Sequence, residues 1–485
     1  MEIAIFDSFL SPYDKLIMDP VHGGIPLFEH EVAIIDHSLF QRLRNICQND
    51  ILSLVFPGAT HSRFLHSIGV MHVGGRMFRS VVDSYLKEKK ATSGKYVTGA
   101  QLESITYFIK VVRIACLLHD CGHSSFSHQF SKTSVLKALM ASPNLFTDLW
   151  EAQRWEDFYD TIPPAIEHEH LSVRCAYQIL KETRLENFGI EICDVLGIME
   201  TTCATPSRKF RDHANEFWKF ITSDRYHQGE DLSPAATPLL LQNLLKSIVS
   251  GEFDADRADY MLRDSFHSSV TIGGYSLDHL LSNLRIGWDL QQPWLGLAIS
   301  AKGLGALEDF VFSRHQMYRQ VYGHKTAIGF DWILREAITE VMQDQEVRNF
   351  VEDCLRNVKN FVYLTDSYFW ECFRRYSKKH PDSYSTCIVD RIKLKHIDTK
   401  YDIAQDEIDQ LKQTYADTMG IPLSKIVTCT MHARFSKIKA NFEQMKVLTR
   451  EPITKIHRLK RITEMSNFFD KFSDETIVHF YVNPI

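Results

Sequence analysis

The sequence predicts a mainly α-helical protein with a smaller mixed α/β part towards its C-terminal end. Apolar side chains recur at helical spacing over much of the first 330 residues, for example in residues 31–48 and 306–325. Further helical segments beyond residue 330 are followed by β-leaning stretches such as TIVHFYVNP. We therefore expect a helical lobe over residues 1–330, and a mixed helical and β lobe over residues 331–485 that serves regulation or oligomerisation.

The composition is that of an ordinary globular protein. Of 485 residues, 44% are hydrophobic and 24% are charged. The net charge of −6 provides no general attraction for nucleic acid, which is not expected as the main partner. The ten cysteines include no CxxC pair, and this pattern suits a reducing cytoplasm. Because there is no membrane-length apolar run and no signal-peptide pattern, we expect a cytoplasmic protein without a membrane partner.

The most informative stretch is VVRIACLLHDCGHSSFSHQF, residues 111–130. Its apolar first half predicts a buried helix, which is followed at once by His119 and Asp120 and then by His123 and His128. Buried ionisable groups are costly unless a partner compensates them, and a metal ion is a common partner. A lone His-Asp pair is more often a hydrogen-bonded core pair. Three histidines and an aspartate so close together favour a metal site.

Other predicted helices carry polar side chains on one face. Arg63 and His66 are three residues apart, so they share a face. Side chains that recur every four residues also share a face. Two stripes have this spacing: Asp256, Tyr260 and Asp264, and Arg314, Tyr318 and Tyr322.

His66, the His119–Asp120 pair and Asp256 can be assembled from separate predicted helices into one mixed nitrogen and oxygen site. Such a site suits manganese, magnesium, iron or zinc, and the ligand types alone do not choose among them. A divalent ion of this kind lowers the pKa of bound water or polarises a phosphoryl oxygen. Spacing alone does not select His66 and Asp256 from the 22 histidines and the many aspartates of the chain.

A resemblance to a known family does select them. Seven segments carry it in order: DPVHG (19–23), FQRLRNICQ (40–48), VFPGATHSRFLHSIGV (55–70), LLHDCGHSSFSH (117–128), EHEHLS (167–172), DADRADYMLRD (254–264) and RxxxYxxxYxHK (314–325). This set resembles the HD-domain metal phosphohydrolases. It is more similar to their deoxynucleoside triphosphate triphosphohydrolase branch, which includes bacterial dGTPases and vertebrate enzymes with a sterile-alpha-motif domain. No sterile-alpha-motif domain is expected here.

The resemblance implies a role for each matching residue. The implied metal ligands are His66, His119, Asp120 and Asp256. The implied catalytic residues are His123 and His128 on the phosphate side and His168 with Glu169 as general acid or leaving-group orienter. The implied substrate-binding residues are Gln48, Arg63, Arg257, Tyr260, Asp264, Arg314, Tyr318 and Tyr322. The implied reaction is attack of water on the α-phosphorus of a dNTP, which releases the deoxynucleoside and inorganic triphosphate.

The resemblance also implies regulation by a nucleotide activator. Asp36, Gln41 and Arg44 match a guanine-specific activator pocket of the family, which lies between subunits. We therefore expect a homo-oligomer, whether dimer, tetramer or hexamer. Three other pocket positions differ, which leaves the identity of the activator open: Met18, Ser276 and His279.

Ser131 is a second departure, because some relatives have an aspartate there that assists proton transfer. His168 or His123 must then carry more of that task. Two other functions stay open on these grounds: an HD phosphodiesterase acting on a signalling nucleotide, and a nucleotide-binding regulatory protein controlled by a partner or effector. Arg63 and Arg257, which the resemblance implies hold the triphosphate, argue against the first, and Ser131 keeps the second open. Control of nucleotide pools and defence against phage are both compatible biological roles.

Overall fold

The computed structural model describes residues 13–93, 97–141, 168–200, 205–222, 237–289, 294–433, 445–451, 457–471 and 474–485. These residues form many helices and three small β-sheets, which confirms the predicted fold class. No helix among them is long and apolar enough to cross a membrane.

The first part of the chain is a β-hairpin followed by helices. Its elements are β1 (Lys15–Asp19), β2 (Gly23–Leu27), α1 (Glu29–Ile35), α2 (Ser38–Gln41), α3 (Arg63–Ser93), α4 (Gly99–Leu118), α5 (Ser127–Lys132), α6 (Ser134–Met140), α7 (His168–Glu182), α8 (Ile192–Met199), α9 (Arg208–Thr222), α10 (Thr237–Val249), α11 (Ala255–Ser268) and α12 (Leu277–Asn283). α3 packs against both α4 and α11. Their buried apolar side chains belong to one core that also extends into the later part of the chain.

The helix predicted over residues 31–48 is interrupted. α1 ends at Ile35, and Nδ1 of His37 accepts the backbone N–H of Leu39 at 3.2 Å, which caps α2. A 3₁₀ turn over Arg42–Asn45 follows. The turn places the guanidinium of Arg42 in the core, where it donates to the carbonyl oxygens of Cys121 and His123. The interruption thus serves a contact with the segment that follows α4.

The later part of the chain mixes helices and strands. Its elements are β3 (Leu284–Asp289), β4 (Trp294–Ser300), α13 (Leu304–Met317), a π-helical turn (Tyr318–Tyr322), α14 (Lys325–Val341), α15 (Gln345–Arg356), α16 (Asp366–Lys379), α17 (Tyr384–Val389), β5 (Lys395–Tyr401), α18 (Gln405–Met419), β6 (Ile426–Ala433), β7 (Lys446–Arg450), β8 (His457–Arg461), α19 (Ile462–Met465), α20 (Phe468–Lys471) and β9 (Glu475–Val482).

Two of the sheets belong to this part, and one of them joins strands from both sides of residue 330. Its strand order is β3-β4-β7-β8, and β4 and β7 run parallel, with Ile299 opposite Val447. The other has the order β5-β9-β6. α14 also runs through residue 330. The division into lobes at residue 330 stays a prediction.

Candidate active site

Two histidines and two aspartates meet where the ends of three helices adjoin. His66 is in the first turn of α3, His119 and Asp120 directly follow α4, and Asp256 is in the first turn of α11. Nε2 of His66 lies 3.1 Å from Asp256 Oδ1 and 3.7 Å from Asp120 Oδ2. Nε2 of His119 lies 3.3 Å from Asp120 Oδ1 and 3.7 Å from Asp256 Oδ1. The structure therefore brings together all four predicted metal ligands.

Both histidines direct Nε2 into this group. Nδ1 of His66 donates to Asp259 Oδ2 at 2.8 Å, and Nδ1 of His119 donates to the carbonyl of Cys116 at 2.8 Å. A carboxylate and a carbonyl only accept, so each Nδ1 carries the proton. Neither Nε2 has a hydrogen-bond partner among the described residues, although both atoms are buried. Two such nitrogens beside two carboxylates fit a divalent metal ion.

The electrostatics of the group also favour a cation. Burial lowers the pKa of His66, but the adjacent carboxylates of Asp256 and Asp259 outweigh burial and raise it to about 10. Burial raises the pKa of Asp120 and Asp256, but the neighbouring His119 outweighs burial and the pKa of each carboxyl stays below its usual range. The carboxylates are therefore ionised, and the imidazoles lie in a negative field.

A second histidine cluster adjoins the first. The ring centroid of His123 is 4.5 Å from that of His168 and 5.3 Å from that of His128. Burial, reinforced by the charge of Arg63, lowers the pKa of His123 well below its usual range and that of His128 to about 3. Both rings are therefore neutral at pH 7. The side chain of His168 is more open, with 31% of its surface exposed.

Glu169 and Ser131 lie near this cluster but outside the cavity that its three histidines line. Glu169 is 47% exposed, and its Oε2 is 3.1 Å from Nδ1 of His168, but it does not line the cavity described next. The hydroxyl of Ser131 donates to the carbonyl of His128 at 3.2 Å, so it lies beside that residue's backbone.

A cavity of about 730 Å³ is lined by the second histidine cluster and by the two carboxylates of the first group, while His66 and His119 lie behind its lining residues. The volume is within the range of sites for small organic ligands. The predicted stripe on α11 faces the cavity, which places a carboxylate at each end and an aromatic ring between. The predicted site residues that line the cavity are Gln48, Arg63, Asp120, His123, His128, His168, Asp256, Tyr260, Asp264, Tyr318 and Tyr322.

One wall of the cavity is tightly hydrogen-bonded. Asp264 accepts from the hydroxyl of Tyr322 at 2.5 Å and from Nε2 of His61 at 2.7 Å. The rings of Tyr318 and Tyr322 meet edge to face with centroids 5.1 Å apart. A carboxylate held from two sides beside aromatic rings can fix the orientation of a hydroxyl-bearing ring.

The three arginines among the predicted substrate-binding residues all have protein partners. Arg63 forms a hydrogen-bonded ion pair with Asp120 and also donates to the hydroxyl of Ser127 at 2.7 Å. Arg257 donates to Asp254 at 2.8 Å. The guanidinium of Arg314 lies over the ring of Tyr318, 4.9 Å from its centroid. Arg63 lines the cavity, whereas Arg257 and Arg314 are not among its lining residues.

The predicted activator residues lie in three consecutive segments: Asp36 directly follows α1, Gln41 ends α2, and Arg44 is in the 3₁₀ turn. Arg44 donates to Gln41 Oε1 at 2.7 Å and covers the ring of Phe64 at 3.6 Å. Asp36 is 62% exposed and pairs with Lys15 at 3.4 Å. Their role as an activator pocket stays a prediction.

Curated proteins from several organisms are similar to this chain in sequence. No protein-family model matches it. The chain is 26% identical to the bovine (Bos taurus) deoxynucleoside triphosphate triphosphohydrolase SAMHD1 over 371 residues, which cover 74% of this chain and 54% of that protein. It is 26% identical to the SAMHD1 homolog of Dictyostelium discoideum over 73% of this chain and 54% of that protein. The chain is thus similar in sequence to proteins named deoxynucleoside triphosphate triphosphohydrolases.

The chain spans about half the length of the curated relatives it matches. Two solved structures share its fold. A phosphohydrolase from Bacteroides thetaiotaomicron aligns with a TM-score of 0.62 at 22% identity, over 97% of this chain and 99% of that one. A hypothetical protein from Aquifex aeolicus aligns with a TM-score of 0.60 at 22% identity, over 96% of each chain.

Several residues that line the cavity were not predicted from the sequence. Lys132 and Arg335 add cationic groups to the lining, and Asp50 and Asp331 add carboxyl groups. Residues 428–432 of β6 form a further wall. No local pattern distinguishes these positions, since β6 reaches the cavity only through the tertiary fold.

Proposed function

We propose that the protein is a metal-dependent hydrolase that converts dNTPs to deoxynucleoside and inorganic triphosphate. The observation that carries the proposal is the convergence of two buried Nε2 atoms with two carboxylates that line a cavity of about 730 Å³. Similarity to enzymes named as deoxynucleoside triphosphate triphosphohydrolases supports the substrate class.

His66, His119, Asp120 and Asp256 would hold the metal. A divalent ion bound there would polarise a phosphoryl oxygen and lower the pKa of water. Arg63 keeps Asp120 ionised and oriented by pairing with it. Lys132 and Arg335, which line the same cavity, provide positive charge for the rest of the triphosphate.

The second histidine cluster suits proton handling at the leaving oxygen. His123 and His128 are neutral at pH 7, so each presents one donor and one acceptor to phosphate oxygens. His168 packs against both rings and is more accessible to solvent. We assign to it the delivery of a proton to the departing 5′-oxygen.

The Asp264 wall suits the sugar. Its carboxylate can accept a bond from the 3′-hydroxyl, and the rings of Tyr260 and Tyr322, with centroids 6.4 Å apart, would exclude a 2′-hydroxyl. This arrangement supports a preference for deoxyribose over ribose.

The test is hydrolysis of the four dNTPs and four rNTPs, singly and in mixtures, with Mn²⁺ or Mg²⁺ and with chromatographic separation of the products. We expect nucleoside and triphosphate from dNTPs, and a loss of about 10³-fold or more in His119→Ala, which removes a metal ligand. His213→Gln is the matched control. The half-buried ring of His213 on α9 stacks on Tyr107 of α4, and neither residue lines the cavity. Equal activity in His119→Ala and His213→Gln would contradict the proposal. Turnover only in mixtures would support an activator, and turnover only after addition of a partner would support the regulatory alternative.

A further inference from the structure

The metal-site histidine His66 is held by a carboxylate that is itself completely enclosed. Asp259 and His66 are fully buried. Oδ2 of Asp259 accepts from Nδ1 of His66 and from Nε of Arg263, both at 2.8 Å. Oδ1 accepts from Nε2 of His22 at 2.6 Å and from the second terminal nitrogen of Arg263 at 2.9 Å. Four donors thus surround one carboxylate and occupy all its acceptor positions.

The network continues into the β1–β2 hairpin. Oδ2 of Asp19 accepts from the other terminal nitrogen of Arg263 at 2.8 Å. Oδ1 of Asp19 accepts the backbone N–H groups of Val21 and His22 at 2.9 and 2.8 Å, which closes the hairpin turn. The turn therefore presents His22 to Asp259, and Arg263 joins the two aspartates.

The close approach of these groups to α3 requires a glycine. Gly69 is three residues after His66, and a methyl group at that position would collide with Asp259 and Arg263. A side chain as small as alanine would therefore displace the carboxylate from His66.

We propose that Asp259 is a positioning residue that holds His66 in the Nδ1–H tautomer and so sets the affinity of the metal site. His22 and Arg263 restrain Asp259, which makes the hairpin turn part of the support of the metal ligand. Partners of this kind fix the tautomer and ring orientation of metal-binding histidines, and their loss commonly lowers metal affinity 10- to 100-fold. The inference rests on the metal site of the proposed function and not on its substrate.

Asp259→Asn is the direct test, because the amide keeps the shape but replaces one acceptor oxygen with a donor. Either amide orientation opposes a donor with a donor, at His66 or at His22. Glu31→Gln is the matched control: Glu31 is equally buried and accepts from Arg113 at 2.6 and 2.8 Å. That control perturbs a buried carboxylate–arginine pair away from the metal ligands.

The measurement uses Co²⁺ without nucleotide. Its dissociation constant is obtained by competition with a chelator, and its visible d–d spectrum reports the ligand field. We expect about 10-fold or greater weakening and an altered spectrum for Asp259→Asn, with Glu31→Gln within about threefold of the unmodified protein in affinity and unchanged in spectrum. His22→Ala leaves Asp259 bonded to His66 and Arg263, and we expect it to weaken binding less than Asp259→Asn but more than the control.

Unaltered Co²⁺ affinity and spectrum in both Asp259→Asn and His22→Ala would overturn the inference, as would equal weakening in Glu31→Gln. If Asp259→Asn does not fold, His22→Ala decides by the same criteria. Tight Co²⁺ binding by a protein that hydrolyses no dNTP would contradict the proposed function and leave this inference standing.

Discussion

Among single residues, Tyr322 and Asp264 form the hydrogen bond that makes the proposed sugar-binding wall of the cavity rigid. The hydroxyl of Tyr322 donates to a carboxylate that His61 holds from the other side. Fixed groups of this kind discriminate better than mobile ones, because a substrate that does not fit leaves a buried polar group unpaired or meets a ring that cannot move.

Substitution of Tyr322 tests how ribose is excluded. In Tyr322→Ala the ring is removed, so we expect the preference for dNTP over rNTP, measured as the ratio of kcat/KM values, to fall at least about 10-fold. Tyr322→Phe is the matched variant, since it keeps the ring and loses only the hydroxyl. It should retain most of the preference. A preference that is unchanged in Tyr322→Ala would show that exclusion resides elsewhere.

Asp331, which lines the cavity, makes the free energy of unfolding of the protein depend on pH. Burial raises its pKa to about 6 from an ordinary value of 3.8, and Arg335 and Lys132 offset only part of this. The folded state therefore prefers the protonated carboxyl. Its contribution to stability is full below pH 3.8 and is lost as the pH rises through 6.

Asp331→Asn removes this titration. We expect its free energy of unfolding to exceed that of the unmodified protein by about 1–3 kcal/mol at pH 8, with a smaller difference at pH 5. Denaturant titrations at both pH values measure the difference. The exposed Asp409→Asn on α18 is the control and should show no such growth. A difference for Asp331→Asn that does not grow with pH would refute this account.

At the element scale, α16 is anchored to the site through its first residue. The two oxygens of Asp366 accept the backbone N–H groups of Cys47 and Phe126, each at 2.8 Å. Those groups belong to the segment before α3 and to the turn after the HD pair. One carboxylate thus connects a helix of the C-terminal part to two segments that border the cavity.

Removal of that anchor should be costly. Asp366→Ala leaves two N–H groups without their acceptor, so we expect the free energy of unfolding to fall by about 2–4 kcal/mol in denaturant titration. Asp344→Ala is the matched control, because Asp344 caps α15 by accepting one exposed backbone N–H at 2.8 Å and its loss should cost about 1 kcal/mol. Similar losses in the two variants would argue against a special role for Asp366.

The elements also show what local patterns can and cannot predict. The spacing of Asp256, Tyr260 and Asp264 was enough to place them on one face of α11, because helical periodicity is a local property. The same periodicity predicted one helix over residues 31–48, where the structure has a break. No local pattern indicates a role for His22, since its partner Asp259 is 237 residues away in the chain.

At the scale of the whole molecule, the resemblance of ordered motifs was needed to select His66 and Asp256 among many candidates. It carried no information on β6, whose residues 428–432 complete the cavity, because its motifs lie within residues 19–325. Nor could it reveal that Arg63 is paired with Asp120 or that Arg257 is paired with Asp254. Such pairings depend on the packing of elements, which motifs do not record.

The shared sheet predicts that the first 330 residues do not fold alone. A chain ending there loses β7, which pairs with β4, and loses the carbonyl of Leu364, which accepts from the buried Arg42 at 2.9 Å. We expect such a fragment to be insoluble or to lack a cooperative thermal transition in circular dichroism. A soluble, monomeric fragment with a sharp transition would show that residues 1–330 are an independent domain.

The most direct test of the central claim is ³¹P NMR of the products formed from a dNTP by the metal-loaded protein in H₂¹⁸O. Attack of water on the α-phosphorus, which the account predicts, yields inorganic triphosphate with ¹⁸O on one terminal phosphorus and a nucleoside that keeps its own 5′-oxygen. Label in orthophosphate with dNDP, or in dNMP with pyrophosphate, would place the cleavage at another phosphorus or bond and contradict the proposed reaction.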